Sequence, residues 1–249
     1  MAPTAGVVQL KPETLQAFAA YIREAEAAME LALRGEGAFL WSDADPERVR
    51  QLGQGKIVVQ RWSGQEPVKV AMGLIHDWIG AVYIPETTAE ATLAVVQNYD
   101  HHREIYAPEV IASALKKRDG DHFQVSLRLL KKKIITVVLE TDHDVHYRCM
   151  GPGSWHCRSY STRIAEVENA GSAKERALPP DTGYGFLWRL YSYWRFQDRN
   201  NGVYVECRAV SLTRDVPFGL GWVVEPIIQS LPKESLTHTL EATRQALRR

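Results

Sequence analysis

Residues 119–149 read DGDHFQVSLRLLKKKIITVVLETDHDVHYRC, and the alternation in this stretch decides the fold. After Asp119-Gly120, the side chains Phe123, Val125, Leu127 and Leu129 fall on one side of an extended chain. Ile135, Val137, Leu139, His143, Val145 and Tyr147 fall on one side of the next. An apolar period of two marks a half-buried β-strand, so the spacing predicts strands over 122–130 and 134–149. The series continues downstream. Residues 158–168 read as a third strand and 170–185 as a polar loop rich in Pro and Gly. Residues 186–196 and 203–212 flank Asp198-Arg199-Asn200-Asn201-Gly202, a hairpin turn signal. The period then becomes helical: 217–229 is short and apolar, and Ser230-Leu231-Pro232 opens a final helix with Leu236, Leu240, Thr243 and Leu247 on one stripe.

Upstream, Leu15, Phe18, Ile22, Ala25, Met29 and Leu33 recur at three- and four-residue steps, which predicts an amphipathic helix over 12–34. Asp45-Pro46 starts a second helix that Gly53 closes. Residues 57–59 and 68–84 read as strands, the second long enough to need a bend, with Gly73 and Gly80 as places for a bulge. Thr87-Thr88-Ala89-Glu90 is a capping-box pattern, and a further short helix is expected around 108–115. The division expected is a helical extension over 1–55 and a main domain over 56–249.

Composition narrows the function. Lys+Arg 30 against Asp+Glu 30 gives zero net charge, which argues against a general nucleic-acid or membrane-surface binder. Hydrophobic content of 45% with 24% charged residues is that of a globular chain. With no run of 18 apolar residues, no membrane-spanning helix is expected. Residues 1–9 lack the basic and apolar regions of a secretory signal, so the expectation is a cytoplasmic protein, or an exported one whose leader was removed before this numbering. Cys149, Cys157 and Cys207 form no CxxC pair and are expected as free thiols, although Cys149 and Cys157 could pair across a hairpin. Neither metal nor cofactor is expected, since there is no P-loop, GxGxxG or HExxH.

A twisted antiparallel sheet with one apolar face must cover that face, and the last helix is the late element long enough to do so. A single helix about 10 Å wide cannot fill the concave side of a strongly bent sheet, so an apolar cavity is the expected product.

The element order resembles that of the START-like superfamily, the SRPBCC or helix-grip domains shared with birch-pollen-allergen-type proteins. The residues carrying the resemblance are Val82-Tyr83-Ile84-Pro85, the helical stretch 87–98, Asn98-Tyr99-Asp100, Tyr106-Ala107-Pro108-Glu109-Val110, Asp119-Gly120-Asp121 and the closing hairpin and helix of 204–247. The likeness covers about 66–248 and leaves the N-terminal helices outside. It implies an α+β helix-grip fold, a curved antiparallel sheet wrapped around a long C-terminal helix. It also implies the binding or carriage of a hydrophobic or amphipathic molecule, lipid-like or polyketide-like. Some members of the superfamily are cyclases or other enzymes.

The expected ligand lining starts with Tyr106 and the strand residues Phe123, Val125, Leu127, Val137, Leu139, His143 and Tyr147. Trp188, Leu190 and Trp194 follow from the aromatic strand, then Val205, Cys207, Leu236 and Leu240. The opposite face of the aromatic strand, with two arginines and two tyrosines, reads as a solvated or partner-facing surface. His143 on an apolar face needs a partner or a ligand. His143, or Asp100 with His101 at the mouth, would serve an enzyme of cyclase or hydrolase type in the same cavity. Asp142, Asp144 and His146 share one strand side and could hold a divalent ion, or form a polar outer face. His76 and Asp77 cannot share a face. Lys116-Lys117-Arg118 and Lys131-Lys132-Lys133 read as solvated turns, or as a patch for transient contact with an anionic membrane. The loops to move for ligand entry would be 99–108 and 217–221. A third reading makes the outer sheet face a protein-interaction module over a filled core.

Overall fold

The computed structural model describes residues 6–64, 67–132, 136–215 and 221–248, and for 221–229 the backbone alone. The chain runs through β1 (Val8–Gln9), α1 (Pro12–Leu33), a 3₁₀ turn (Trp41–Ala44), α2 (Pro46–Gly53), β2 (Val58–Arg61), β3 (Val68–Val70) and β4 (Gly73–Pro85). Next come α3 (Ala89–Val96), a 3₁₀ turn (Tyr99–His101), α4 (His102–Ile105), β5 (Val110–Asp119), β6 (His122–Lys132), β7 (Thr136–Gly151) and β8 (Ser154–Glu168). The short β9 (Arg176–Ala177) and β10 (Thr182–Gly183) precede β11 (Arg189–Asp198), β12 (Gly202–Arg214) and α5 (Gly221–Ala246).

The main sheet is antiparallel in the order β2-β4-β12-β11-β8-β7-β6-β5, with β3 added on β4 and β9 on β8. β4 and β6 stand five strand spacings apart, about 24 Å in a flat sheet. Yet α5 reaches both, through Leu240 beside Gly80 of β4 and Ser235 Oγ at 2.6 Å from Lys131 of β6. A helix about 10 Å wide can do this only if the sheet curls around it. The concave face therefore carries Trp78, Val82, Phe123, Val125, Val145, Tyr147, Phe196 and Val205 in one core with Leu236 and Leu240.

The convex face is covered too. Phe18, Ile22, Ala25 and Met29 of α1 pack on Ile75, Tyr193, Val210 and Leu212. Leu40, Trp41 and Leu52 cover Ile79, Ala81 and Tyr204. Buried charge fixes this second layer. Glu206 accepts the N–H of Trp41 at 2.7 Å and of Ser42 at 2.8 Å. Asp77 takes a two-pronged ion pair from Arg208 at 2.9 and 2.6 Å and the Tyr21 hydroxyl at 2.7 Å. Tyr193 and Tyr160 both donate to Glu26. The arginine and tyrosine face of β11, expected to be solvated or open to a partner, is thus occupied by the chain itself: Tyr191 and Tyr193 by α1, Arg195 by the Phe39 carbonyl and Arg189 by Asp181.

Several boundaries differ from the sequence reading. The segment 68–84 is a tight hairpin rather than one bent strand: Val70 pairs with Gly73 and Met72 adopts φ 57°. Gly80 makes no bulge. Residues 110–119 form edge strand β5 where a helix was expected, because irregularities at Val110/Ala112 and Leu115/Lys117 break the alternation that would have revealed it. The final helix starts at Gly221 instead of Ser230 and runs through Pro226 and Pro232. Ile134, Ile135, Lys133 and the expected entry segment 217–220 lie outside the described residues.

Candidate functional site

Strand register sorts the concave face into parallel rows, and their chemistry changes along the strands. One row is Val82, Val205, Phe196 and Trp155. The next is Gly80, Cys207, Trp194, Cys157 and Tyr147. Then come Trp78, Ala209, Ser192, Ser159 and Val145, one step on. The fourth row is His76, Ser211, Leu190, Ser161 and His143, where the Leu190 N–H donates to Ser161 Oγ at 3.0 Å. Polarity thus rises from the α3 end of the sheet toward the end where β12 finishes.

The apolar half is closed by α5. A Cβ on Gly80 would lie 2.7 Å from Leu240 Cδ1 and 3.2 Å from Leu236 Cδ2. Its hydroxyls satisfy one another: Tyr99 with Tyr147 at 2.7 Å and Tyr106 with Thr243 at 3.2 Å. Desolvation pushes both Tyr99 and Tyr147 well above the ordinary phenol range.

The polar half holds two buried imidazoles, on β4 and on β7. Burial lowers both to about 4, so each is neutral near pH 7. Thr213 Oγ1 lies 3.0 Å from His76 Nε2 and 3.1 Å from the Arg214 carbonyl, so one ring nitrogen of His76 is engaged. Among the described residues, the other ring nitrogen, His76 Nδ1, is buried and has no hydrogen-bond partner. His143 differs. Its Nε2 lies 3.0 Å from Thr141 Oγ1 and its Nδ1 3.5 Å from Ser159 Oγ, so both nitrogens are engaged.

Of the residues expected to line a ligand, Phe123, Val125, Tyr147, Trp194, Val205, Cys207, Leu236 and Leu240 meet in one cluster on the concave face. Leu139, Leu190 and His143 share that face by register. Tyr106 and Leu127 form a neighbouring cluster with Val110 and Ala242. Trp188 does not join them: it precedes β11 and packs with α1 on the convex side. Val137 lies at a strand end, lining a pocket of about 310 Å³ with Glu166, Tyr184 and Phe186. A second pocket, about 190 Å³, sits beside β1 between Leu10, Met72 and Trp188. Neither is lined by a described residue of α5, so these two pockets are not the cavity expected between the concave face and the last helix.

The Asp100/His101 pair does not form. Asp100 accepts the Leu115 N–H at 2.8 Å, while exposed His101 faces Glu104 at 3.7 Å. The buried histidine of that turn is His102, held between Tyr99 and Tyr106 with Nε2 at 3.0 Å from the Val96 carbonyl. Asp142 meets Arg163 at 3.7 Å and does not join Asp144 and His146. Lys131 is engaged by Glu109 and Ser235 rather than free for a membrane. All three cysteines are free thiols. As expected, His76 and Asp77 face opposite sides. His76 itself was passed over, although its parity with Trp78, Val82 and Ile84 placed it on the buried face.

No family model and no curated protein matches the sequence. Among solved structures, the chain is similar to a STAR-related lipid transfer protein (fragment 25–204) from Xanthomonas axonopodis. That match has TM-score 0.51 and 19% identity, over 74% of this chain and 98% of that one. A protein from Thermus thermophilus gives TM-score 0.48 and 13% identity over 68% and 94% of the two chains. The Zhui aromatase/cyclase from Streptomyces sp. R1128 gives TM-score 0.47 and 10% identity over 70% and 94%. The chain has the START-like helix-grip fold. Among the described residues, no helix is long and apolar enough to cross a membrane.

Proposed function

We propose that this protein binds an amphipathic small molecule between the concave face and α5, its apolar body along the tryptophan rows and a hydroxyl-bearing end at the histidine row. One observation carries the reading: among the described residues, the buried His76 Nδ1 has no hydrogen-bond partner. Leaving such a group unpaired costs about 1–3 kcal/mol, a cost that a ligand O–H removes on binding. The apolar rows supply the rest, at about 25 cal/mol per Å² taken from water. The similarity to a protein described as a lipid transfer protein agrees with a lipid-like ligand. An enzyme built on His143 is less well supported, because both its nitrogens are already bonded inside the protein.

Native mass spectrometry of the purified full chain tests this. The expected result is a co-purifying adduct of lipid-like mass that dissociates on denaturation. It should diminish in Ser192→Trp, which fills the row between Trp78 and Ser159, and in His76→Phe, which keeps the volume but removes the ring nitrogens. Protein that carries no adduct, and whose tryptophan fluorescence is unchanged by added long-chain alcohols and fatty acids, would overturn the proposal.

A further inference from the structure

On the convex face, away from the histidine row and next to the contacts of α1 with Tyr160 and Arg148, three metal-ligating side chains converge. His122 of β6 stands directly opposite His146 of β7, and Asp144 lies two residues before His146 on the same side. Beside them the Tyr147 N–H donates to the Asp121 carbonyl at 2.9 Å. That makes His122–His146 a non-hydrogen-bonded pair, the kind whose side chains approach most closely. Their rings stack at 4.1 Å and 7°. Both Nε2 atoms address one carboxylate, His122 at 2.9 Å from Oδ2 and His146 at 2.7 Å from Oδ1. One donor atom from each residue falls within 4.8 Å of the others, and all three residues are part-exposed.

We propose that His122, Asp144 and His146 form a binding site for a divalent transition-metal ion. Two imidazoles with one carboxylate suit Zn²⁺, Co²⁺, Ni²⁺ or Cu²⁺, and not the oxygen-seeking Mg²⁺ or Ca²⁺. Tetrahedral bonds of about 2.0–2.1 Å place donors about 3.3 Å apart, so binding widens the 2.7 and 2.9 Å nitrogen–carboxylate contacts and turns the stacked rings until both lone pairs meet one ion. On binding, each Nε2 exchanges its hydrogen bond for a metal bond, and the neutral ring carries its proton on Nδ1. Three protein ligands on an accessible face leave the fourth position to water or to an outside ligand. Flanking charge is balanced, with Asp119 opposite His122 and Arg158 opposite His146. The sequence reading weighed Asp142, Asp144 and His146; strand pairing exchanges Asp142 for His122, a residue that spacing along one strand could not supply.

The test is titration of the full chain with Zn²⁺ by calorimetry and with Co²⁺ by visible absorption, after stripping with a chelator. One equivalent of Zn²⁺ is expected to bind, Co²⁺ to develop d–d bands, and Tm to rise with added Zn²⁺. His122→Ala, His146→Ala and Asp144→Asn should each weaken Zn²⁺ by about tenfold or more while circular dichroism stays native. His101→Ala and Cys149→Ser, at other exposed donors, should leave affinity unchanged. Absence of heat and of d–d bands at millimolar metal would overturn the proposal, as would binding that survives the three ligand variants.

Discussion

Gly80 shows how one missing side chain sets the distance between helix and sheet. Any Cβ there would meet Leu240 at 2.7 Å, Val59 at 3.0 Å and Leu236 at 3.2 Å. Gly80→Val is expected to cost about 1–3 kcal/mol by overpacking, read as a lower urea midpoint at unchanged m-value. The sequence drew attention to this glycine for the wrong reason. A glycine inside a strand signals either a bulge or a close approach, and only the position of α5 decides between them. Asn200 and Asn201 were more transparent. Both adopt left-handed backbone, φ 59° and 56°, as the hairpin signal required.

At the scale of elements, α1 was legible as a helix but not as a layer. Its stripe of Phe18, Ile22, Ala25 and Met29 declares one apolar face. Nothing in that periodicity says that the face lies on the back of the sheet, because the contacts join Phe18 to Tyr191 and Glu26 to Tyr193, far along the chain. The same ignorance made the β11 tyrosines look solvated. Phe18 is 1% exposed, so Phe18→Ala is expected to destabilise the protein by about 3–5 kcal/mol and to raise binding of the dye ANS. A chain whose sheet stood on α5 alone would show neither change. β5 failed for the opposite reason: its two irregularities erase the period that the eye depends on.

Across the whole molecule, the concave apolar rows could be read from strand parity, whereas the histidine row could not. It is assembled from residues more than sixty positions apart, His76 and His143, brought level by register alone. Buried histidines also set the response to acid. Burial lowers His76, His102 and His143 to about 4, and His156, which also faces Arg195, Arg148 and Arg158, to about 3. An unfolded chain takes up these protons near pH 6.5, while the folded one resists until about pH 3–4. Stability from these groups is therefore full above about pH 6.5 and is lost as pH falls toward 4, by up to a few kcal/mol for each group. Glu166 and Glu206, raised by desolvation, act in the opposite sense above their ordinary 4.5. The shared downward shift of the four histidines sets the expected direction, a drop of the urea midpoint between pH 7 and pH 5. His143→Gln should flatten that decline, and a midpoint insensitive to pH would contradict the account.

Edge strand β5 closes one end of the sheet with Lys116, Lys117 and Arg118 in succession and two breaks in its pairing. A straight, uncharged border would offer its free amide and carbonyl groups as a template for the next chain. Here the run of like cations, the kinked outline and the Asp100 carboxylate that already holds the Leu115 amide leave a second molecule no continuous row of partners along this edge.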